Sequence, residues 1–129
     1  MKKMFFALLF LFLFALLAGC TQAKDIVIDM KGDEALAVKA GSPFKIRLEE
    51  NPTTGYSWQV VQSEGGGVVE LTGKDEFIRN SDRIGAGGVR VFEFTAVKSG
   101  KEDIAFEYLR PWETGKPPIR RYVLSVKVL

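Results

Sequence analysis

The sequence predicts an all-β fold, an immunoglobulin-like β-sandwich of about seven or eight strands that has no disulfide. From residue 25 onwards the chain is a series of short runs in which apolar and polar side chains alternate or β-branched residues are frequent, which is the pattern of half-buried strands. Gly, Pro, Asn or Asp bounds each run, and turn signals about every 8 to 12 residues are typical of a sandwich. Outside the N-terminal apolar segment, no helical periodicity is longer than two turns.

Alternation of side chains defines the individual strands. Phe44, Ile46 and Leu48 alternate with charged residues and predict the clearest strand of the first half. Residues 68–78 are ambiguous, because Gly73 could mark a bulge within one strand or a reversal between two strands. We interpret Gly73 as a bulge. The other predicted strands are 25–30, 34–39, 57–63, 92–96, 104–108 and 122–128.

The N-terminal residues have the pattern of an export signal. Lys2 and Lys3 precede an apolar stretch that runs to about residue 16. The segment 17–20 (LAGC) then resembles a bacterial lipobox, in which the thiol of Cys20 receives a diacylglycerol. A plain cleaved signal and an uncleaved anchor are the alternatives.

We therefore expect an exported protein that is anchored to the cell envelope, and so to a membrane, through an N-terminal lipid. The outer membrane is the expected site if the organism has one, because Thr21 rather than Asp follows the cysteine. The expected organisation is a lipoprotein signal peptide at 1–19, a lipidated tether at 20–24 and an immunoglobulin-like domain at 25–129.

The composition excludes several classes of function. Cys20 is the single cysteine, so a lipid on its thiol leaves none for a disulfide, for catalysis or for a metal. The chain has no histidine, which removes the usual general base and the commonest transition-metal ligand. Loss of Lys2 and Lys3 with the signal lowers the Lys plus Arg count from 18 to 16, against 16 Asp plus Glu. We therefore expect no enzyme activity, no cofactor or metal, and no nucleic-acid partner, because phosphate binding needs a concentrated basic face.

Adjacent carboxylates are the remaining candidates for acid and base chemistry. Glu49 and Glu50 form one such pair, but neighbouring residues of a strand point to opposite faces. We interpret them as part of a solvated edge.

Three short motifs stand out in the connections between predicted strands: NPTTGY at 51–56, GAGG at 85–88 and RPW at 110–112. Consecutive strands of a sandwich run in alternate directions, so every second connection lies at the same end. With 68–78 counted as one strand, the motifs fall in the first, third and fifth connections of the main series. They are therefore expected to meet at one end, unless Gly73 is a reversal.

Each motif also has a purely structural interpretation. NPTTG is a turn in which Pro52 fixes φ and Gly55 can adopt a positive φ. The glycines of GAGG could provide flexibility, while phosphate binding is disfavoured because neither a helix nor a Lys-Ser/Thr pair follows. Trp112 could cover the end of its own core, although Trp and Arg are also the residues most enriched at binding hot spots.

Taken together and in this order, the three motifs resemble those of the chagasin-type inhibitors of cysteine peptidases. The resemblance covers nearly all of the chain after Cys20. It implies an immunoglobulin-like inhibitor domain, monomeric, whose three loops enter the cleft of papain-like cysteine peptidases and inhibit them reversibly and competitively. The NPTTG loop would then cover the catalytic centre of the target, with the other two loops on either side. The implied target-binding residues are Asn51, Pro52, Thr53, Thr54, Gly55, Tyr56, Gly85, Ala86, Gly87, Gly88, Arg110, Pro111 and Trp112.

A lipid-anchored envelope module for adhesion or assembly is the alternative function. Such a module would bind a protein by strand addition at a sheet edge, or a carbohydrate on a loop surface. It would not need to concentrate Thr, Gly and Trp loops at one end.

Overall fold

The computed structural model describes residues 24–62 and 66–129, and its strands follow the predicted alternation. The predicted signal peptide and the predicted lipidation site at Cys20 lie outside the described residues. Within the described part of the chain, no helix is both long and apolar enough to cross a membrane. The strands are β1 (Ile26–Asp29), β2 (Glu34–Val38), β3 (Pro43–Glu50), β4 (Ser57–Gln62), β5 (Val69–Leu71), β6 (Glu76–Arg79), β7 (Gly88–Ala96), β8 (Gly100–Leu109) and β9 (Arg120–Val128).

The strands form two sheets, as the immunoglobulin-like sandwich requires. One sheet has the order β1-β3-β7-β5, with β6 also paired to β7, and the other has the order β2-β9-β8-β4. The pairs β1 with β3 and β2 with β9 are parallel, and all other described pairs are antiparallel. The predicted fold class is confirmed, with nine strands instead of seven or eight.

The additional strand comes from the interruption of 68–78 at Gly73. Leu71 pairs with Phe94, whereas Glu76 pairs with Val91, so the register shifts by two residues between β5 and β6. Gly73 has a φ of +72°, a conformation that glycine adopts without steric cost. Both strands are antiparallel to β7 and therefore run in the same direction. Gly73 is thus a bulge-like break and not a reversal, and the parity of the later connections is preserved.

The core lies between the sheets and is built from the inward residues of each alternating run. Phe44 and Phe94 stack with ring centroids 5.5 Å apart, and Phe106 of the opposite sheet meets Phe94 edge to face at 6.1 Å. These three rings are at most 1% exposed. Aromatic pairs of this kind stabilise a core beyond their buried area.

The connections β3–β4, β6–β7 and β8–β9 lie at one end of the sandwich, which we call the loop end. This follows from the pairing, because β3 and β8 both run toward it and β7 and β9 both start from it. The NPTTG, GAGG and RPW motifs belong to these three connections. The fold therefore brings the three motifs to the same end, as the count of strands predicts.

Candidate functional site

The NPTTG loop is a closed and rigid turn. Pro52–Thr54 forms a 3-10 helix with Asn51 as its N-cap, and Gly55 ends it in the left-handed conformation at φ 81°. The Asn51 Oδ1 atom accepts hydrogen bonds from the Thr53 amide at 3.2 Å and the Thr53 hydroxyl at 2.6 Å. The Thr54 hydroxyl donates to the Asn51 carbonyl at 2.7 Å. Both threonine hydroxyl protons are therefore used within the turn, and the loop presents a preformed shape instead of two free donors.

The Gly-rich loop turns sharply at its tip. The Ala86 amide donates to the Arg83 carbonyl at 3.1 Å, and Gly85 has a φ of +81°. A positive φ at the third position of a four-residue turn is the feature of type II turns, where glycine is favoured. Ile84, the second residue of this turn, is fully exposed. The loop therefore projects a bare apolar side chain next to its glycines.

The RPW loop carries an exposed tryptophan over the NPTTG loop. Trp112 is 66% exposed, yet one edge of its indole lies against Gly55. A β-carbon added at Gly55 would be 2.4 Å from the Trp112 Cη2 atom. Gly55 thus serves two purposes, because it provides the positive φ and leaves room for the indole.

Arg110 joins the RPW and NPTTG loops. Its Nε and Nη2 atoms donate to the Thr54 carbonyl at 3.1 and 2.9 Å, and its guanidinium carbon lies 4.4 Å from the centroid of the Tyr56 ring. Its Nη1 atom donates to Glu113 at 3.2 Å. The hydrogen bond from Arg110 lowers the pKa of Glu113 despite some desolvation, and the charge of Lys116 acts in the same direction. The RPW arginine is therefore occupied within the protein.

Asn51 and Gly87 join the NPTTG loop to the Gly-rich loop. The Asn51 Nδ2 atom donates to the Gly85 carbonyl at 3.4 Å. A β-carbon at Gly87 would lie 3.3 Å from the Glu50 carbonyl oxygen, closer than most real contacts. The two backbones therefore approach each other as closely as they do because residue 87 is a glycine.

A buried carboxylate supports the base of these loops. Glu50 is 4% exposed. Its Oε1 atom accepts the Trp58 amide at 2.8 Å, and its Oε2 atom accepts Arg90 Nε at 3.0 Å and Nη2 at 2.6 Å. Arg90 also pairs with Asp75 at 2.8 Å. Glu50 ends β3, Trp58 lies in β4 and Arg90 lies in β7, so one side chain connects both sheets beneath two of the loops.

The charge of Arg90 is compensated at this position. Burial opposes its charge, but the hydrogen bonds and charges of Glu50 and then of Asp75 outweigh this, so the pKa of Arg90 is raised. The interpretation of Glu49 and Glu50 as a solvated edge is therefore wrong for Glu50. It shares the inward face of β3 with Phe44, Ile46 and Leu48.

A column of aromatic rings fills the space under the NPTTG loop. Tyr108 stacks on Trp58 with ring centroids 4.8 Å apart and meets the tilted Tyr56 ring at 5.5 Å, and Trp58 contacts Tyr122 at 5.0 Å. The Tyr108 hydroxyl accepts the Asn51 amide at 3.3 Å, and Trp58 Nε1 donates to the Glu49 carbonyl at 2.8 Å. The turn therefore rests on the rigid core.

The predicted site residues fall into two groups by their surroundings. The exposed group can reach a partner directly: Pro52, Thr53, Thr54, Gly85, Pro111 and Trp112. The second group is partly or fully buried and holds the loops in place: Asn51, Gly55, Tyr56, Ala86, Gly87, Gly88 and Arg110. Gly88 is the extreme case, since it is buried in β7 and a β-carbon there would lie 2.2 Å from the Ile78 carbonyl oxygen.

Sequence reasoning missed Ile84, Glu50 and Arg90. The position of Ile84 beside the Gly-rich motif is the feature of the sequence that could have indicated it. For Glu50, this feature is the alternation of inward and outward side chains in β3, which places Glu50 on the same face as Leu48. Arg90 is tied to the site by contacts with Glu50 and Asp75, 40 and 15 residues away in the chain, which no local pattern reports. Among the described residues, no group of three or more His, Cys, Asp or Glu side chains could hold a metal ion.

Comparison with known proteins identifies relatives over most of the chain. The family model described as Chagasin family peptidase inhibitor I42 matches residues 37–126. Amoebiasin-2 from Entamoeba histolytica is 34% identical over 117 residues, which are 89% of this chain and 94% of the relative. Chagasin from Trypanosoma cruzi is 30% identical over 99 residues, 71% of this chain and 86% of the relative. A solved structure of a cysteine protease inhibitor from E. histolytica superposes with a TM-score of 0.69 at 28% identity, over 81% of this chain and 96% of that one.

The fold and its relatives thus define a protein of the peptidase-inhibitor class, built on an immunoglobulin-like sandwich. The chain belongs to the chagasin family of peptidase inhibitors, I42. The predicted family is confirmed, and so is the prediction that the protein is an inhibitor and not an enzyme.

Proposed function

We propose that the loop end inhibits papain-like cysteine peptidases by covering their active-site cleft, reversibly, in competition with substrate and as a monomer. The observation that carries this proposal is the mutual bracing of the three loops. Arg110 of the RPW loop donates a hydrogen bond to the Thr54 carbonyl of the NPTTG loop, and Asn51 of the NPTTG loop donates one to the Gly85 carbonyl of the Gly-rich loop. Loops that are ordered before binding lose little conformational entropy on docking, which favours affinity.

The NPTTG turn is suited to block the catalytic centre without being cleaved. Two of its amides donate within the turn, from Thr54 to the Asn51 carbonyl at 3.2 Å and from Gly55 to the Pro52 carbonyl at 3.0 Å. The described residues contain neither cysteine nor histidine, so no side chain there supplies the usual nucleophile or base. Inhibition would therefore rest on occupancy of the cleft.

The flanking loops supply the apolar contact area. Trp112 on one side and Ile84 on the other are both strongly exposed. A few well-packed residues, Trp among the most enriched, contribute most of the binding energy of an interface, and further apolar area adds to it when it is removed from water. We propose that Trp112 packs on aromatic residues of the peptidase and that Ile84 joins the predicted contact set beside Gly85.

Titration of papain with the chain from Cys20 onwards, carrying Cys20→Ser, tests this function. The described core lies between Met30 and Val128, so this chain retains it. We expect the apparent inhibition constant to rise linearly with substrate concentration, full recovery of activity on dilution and no covalent adduct by mass spectrometry. A folded chain that leaves several papain-like peptidases active at micromolar concentration would refute the inhibitor proposal in favour of the adhesion module.

We also propose that the protein is exported, processed before Cys20 and anchored by lipid to the cell envelope. The support is the n-region at Lys2 and Lys3, the apolar stretch after it and the LAGC sequence at 17–20. Cys20→Ser should yield an unprocessed or soluble species. Equal partitioning of the variant and the parent into the detergent phase would contradict lipidation.

A further inference from the structure

The chain enters the folded domain at the end opposite to the loops. Ile26 at the start of β1 pairs in parallel with Phe44 at the start of β3, and β3 runs from there to the NPTTG loop. We call this end the entry end. It consists of the first residues of β1, β3, β5 and β8 and the last residues of β2, β4, β7 and β9, with the turns between them.

The entry end carries lysines that have no acidic partner in the described chain. None of them is within 4.0 Å of a described carboxylate oxygen. Lys101 and Lys127 are direct cross-strand neighbours, a like-charge pairing that is unfavourable. The exposed lysines of this end are Lys24, Lys39, Lys98, Lys101 and Lys127.

Acidic residues at the entry end are fewer. Asp25, Glu70 and Asp103 are the exposed ones among the described residues, and Asp103 lines the same groove as Lys101 and Lys127. Glu64 falls in the segment 63–65, outside the described residues. Glu102 is 5% exposed and accepts the Val69 amide at 2.8 Å, so its carboxylate faces the interior. Positive charge is therefore in excess at the surface of this end.

The loop end also has exposed basic residues, among them Lys31, Arg79 and Arg120, but exposed carboxylates such as Glu34, Glu49 and Asp82 lie at the same end. Several further charges of the loop end are paired. Arg110, Glu113 and Lys116 form one network, and Arg90 is bonded to Glu50 and Asp75. The contrast separates a braced recognition end from an open cationic end on a domain that is close to neutral as a whole.

The distance from Cys20 to the sandwich is short. Five residues separate Cys20 from Ile26, and the segment spans at most about 20 Å when fully extended. The ten-residue strand β8 alone is about 33 Å long. A lipid on Cys20 would therefore keep the entry end close to the bilayer, while the loop end can be a domain length away.

We propose that the entry end is a membrane-facing surface whose lysines contact anionic phospholipid headgroups and hold the three inhibitory loops away from the bilayer. Val97, 49% exposed beside Lys98, would lie at the headgroup level. This orientation rests on the proposed lipid anchor and explains how an anchored inhibitor keeps its loops accessible to a peptidase in solution. Basic residues near an anionic bilayer each increase partitioning by about fivefold.

Co-sedimentation with vesicles tests the surface without the lipid. The Cys20→Ser chain described above is mixed, at low ionic strength, with vesicles of phosphatidylcholine alone or of phosphatidylcholine with phosphatidylglycerol. We expect binding only to the anionic vesicles and its loss at about 1 M salt, where the Debye length falls to about 3 Å. The test variant carries Lys39→Glu, Lys98→Glu and Lys101→Glu, and we expect its partition coefficient to fall by at least about 100-fold.

A matched control separates position from net charge. Lys31→Glu, Arg79→Glu and Arg120→Glu change the charge by the same amount at exposed residues of the loop end, and should retain most of the binding. Equal losses in the two variants, or equal binding to neutral and anionic vesicles, would overturn the proposal. So would binding to an acidic polypeptide without binding to anionic vesicles, which would indicate a protein partner.

Papain inhibition in solution is measured on the same samples and keeps the two proposals apart. The entry-end variant should inhibit as the parent does. Suppose that no sample inhibits papain, but that the parent and the control variant bind anionic vesicles more strongly than the entry-end variant does. The inhibitor function is then refuted and the membrane-facing surface is supported.

Discussion

Arg110 donates two hydrogen bonds to the carbonyl oxygen of Thr54, which is 56 residues earlier in the chain. The guanidinium also lies over the Tyr56 ring, so a single side chain fixes the RPW loop on the NPTTG turn. The arginine of the RPW motif therefore supports the binding surface, while Trp112 beside it provides exposed area.

Removal of this connection should weaken inhibition without unfolding the protein. We expect Arg110→Ala to raise the inhibition constant by about 10- to 30-fold, or about 1.5 to 2 kcal/mol. This is the lower part of the range of about 1.5 to 3 kcal/mol for hydrogen bonds from a charged donor, because the Arg110 side chain is 35% exposed. Arg110→Lys should recover little, since lysine lacks the planar fork. Arg121→Ala, which removes an exposed arginine paired with Glu107, is the control. Parent-like inhibition by Arg110→Ala would show that the connection is unimportant.

Gly55→Ala should disturb the site more than a matched substitution elsewhere. Gly55 has a φ of +81° and its added methyl group would meet the Trp112 ring, whereas Gly73 has a φ of +72° and nothing within 4 Å. Both substitutions carry the left-handed strain of about 1 to 2 kcal/mol, but only Gly55→Ala should also shift Trp112 fluorescence and weaken inhibition. The comparison is made by urea unfolding, emission spectra and papain titration. Equal effects on all three would contradict the contact.

Glu50→Gln should destabilise the fold. The substitution removes the charge that compensates Arg90, and breaking a fully buried pair costs about 3 to 5 kcal/mol. We expect about 2 to 3 kcal/mol, because Asp75 remains as a partner of Arg90. The adjacent Glu49→Gln alters an exposed carboxylate and should change the free energy of unfolding by less than about 0.5 kcal/mol. Similar unfolding midpoints in urea for the two variants would refute the role of Glu50.

The ionisation of Glu113 should depend on Arg110. The pKa of Glu113 is lowered from its ordinary value of 4.5, chiefly by the hydrogen bond from Arg110. A lowered pKa in the folded state stabilises the fold above the unfolded pKa, and this contribution disappears as the pH falls through the folded value. Proton titration followed by NMR should give a Glu113 midpoint below 4.5 in the parent and a higher one in Arg110→Ala. An unchanged midpoint would mean that the pair does not persist in solution.

Trp112→Ala should have the largest effect of any single truncation at the loop end. The indole is 66% exposed in the free protein and would become a desolvated anchor in the complex, so we expect a loss of about 2 kcal/mol, or about 30-fold in affinity. Leu71→Ala removes an apolar side chain that is 39% exposed away from the loop end and serves as the control. The measurement is the dissociation rate, in which most affinity differences between related complexes appear.

Much of the fold could be predicted because its information is local. The alternation at Phe44, Ile46 and Leu48 places these residues on the inner face, where the structure has them. The parity of the connections was sufficient to bring the three motifs together, since the break at Gly73 does not reverse the chain. A reversal there would have sent the later loops to the opposite end.

The internal support of the site could not be predicted, because it depends on contacts between distant residues. The pairing of Glu50 with Arg90 requires the register of β3 against β7, which the sequence does not state. The hydrogen bond that the Thr53 hydroxyl donates to Asn51 Oδ1 depends on the folded shape of the turn, which the motif alone does not define. The hydrogen bonds of Arg110 to Thr54 and Glu113 could not be predicted either, because a motif identifies a residue but not the groups that it contacts within the fold.

Occupancy of the cleft by the loop end can be tested most directly by filling the cleft first. Binding of the Cys20→Ser chain is measured by surface plasmon resonance on papain with a free active site and on papain whose catalytic cysteine carries a peptidyl inhibitor that fills the cleft. We expect binding to the free enzyme and at least about 100-fold weaker binding to the filled one, a difference of about 2.7 kcal/mol. Equal affinity for the two forms would place the contact outside the cleft and contradict inhibition by occlusion.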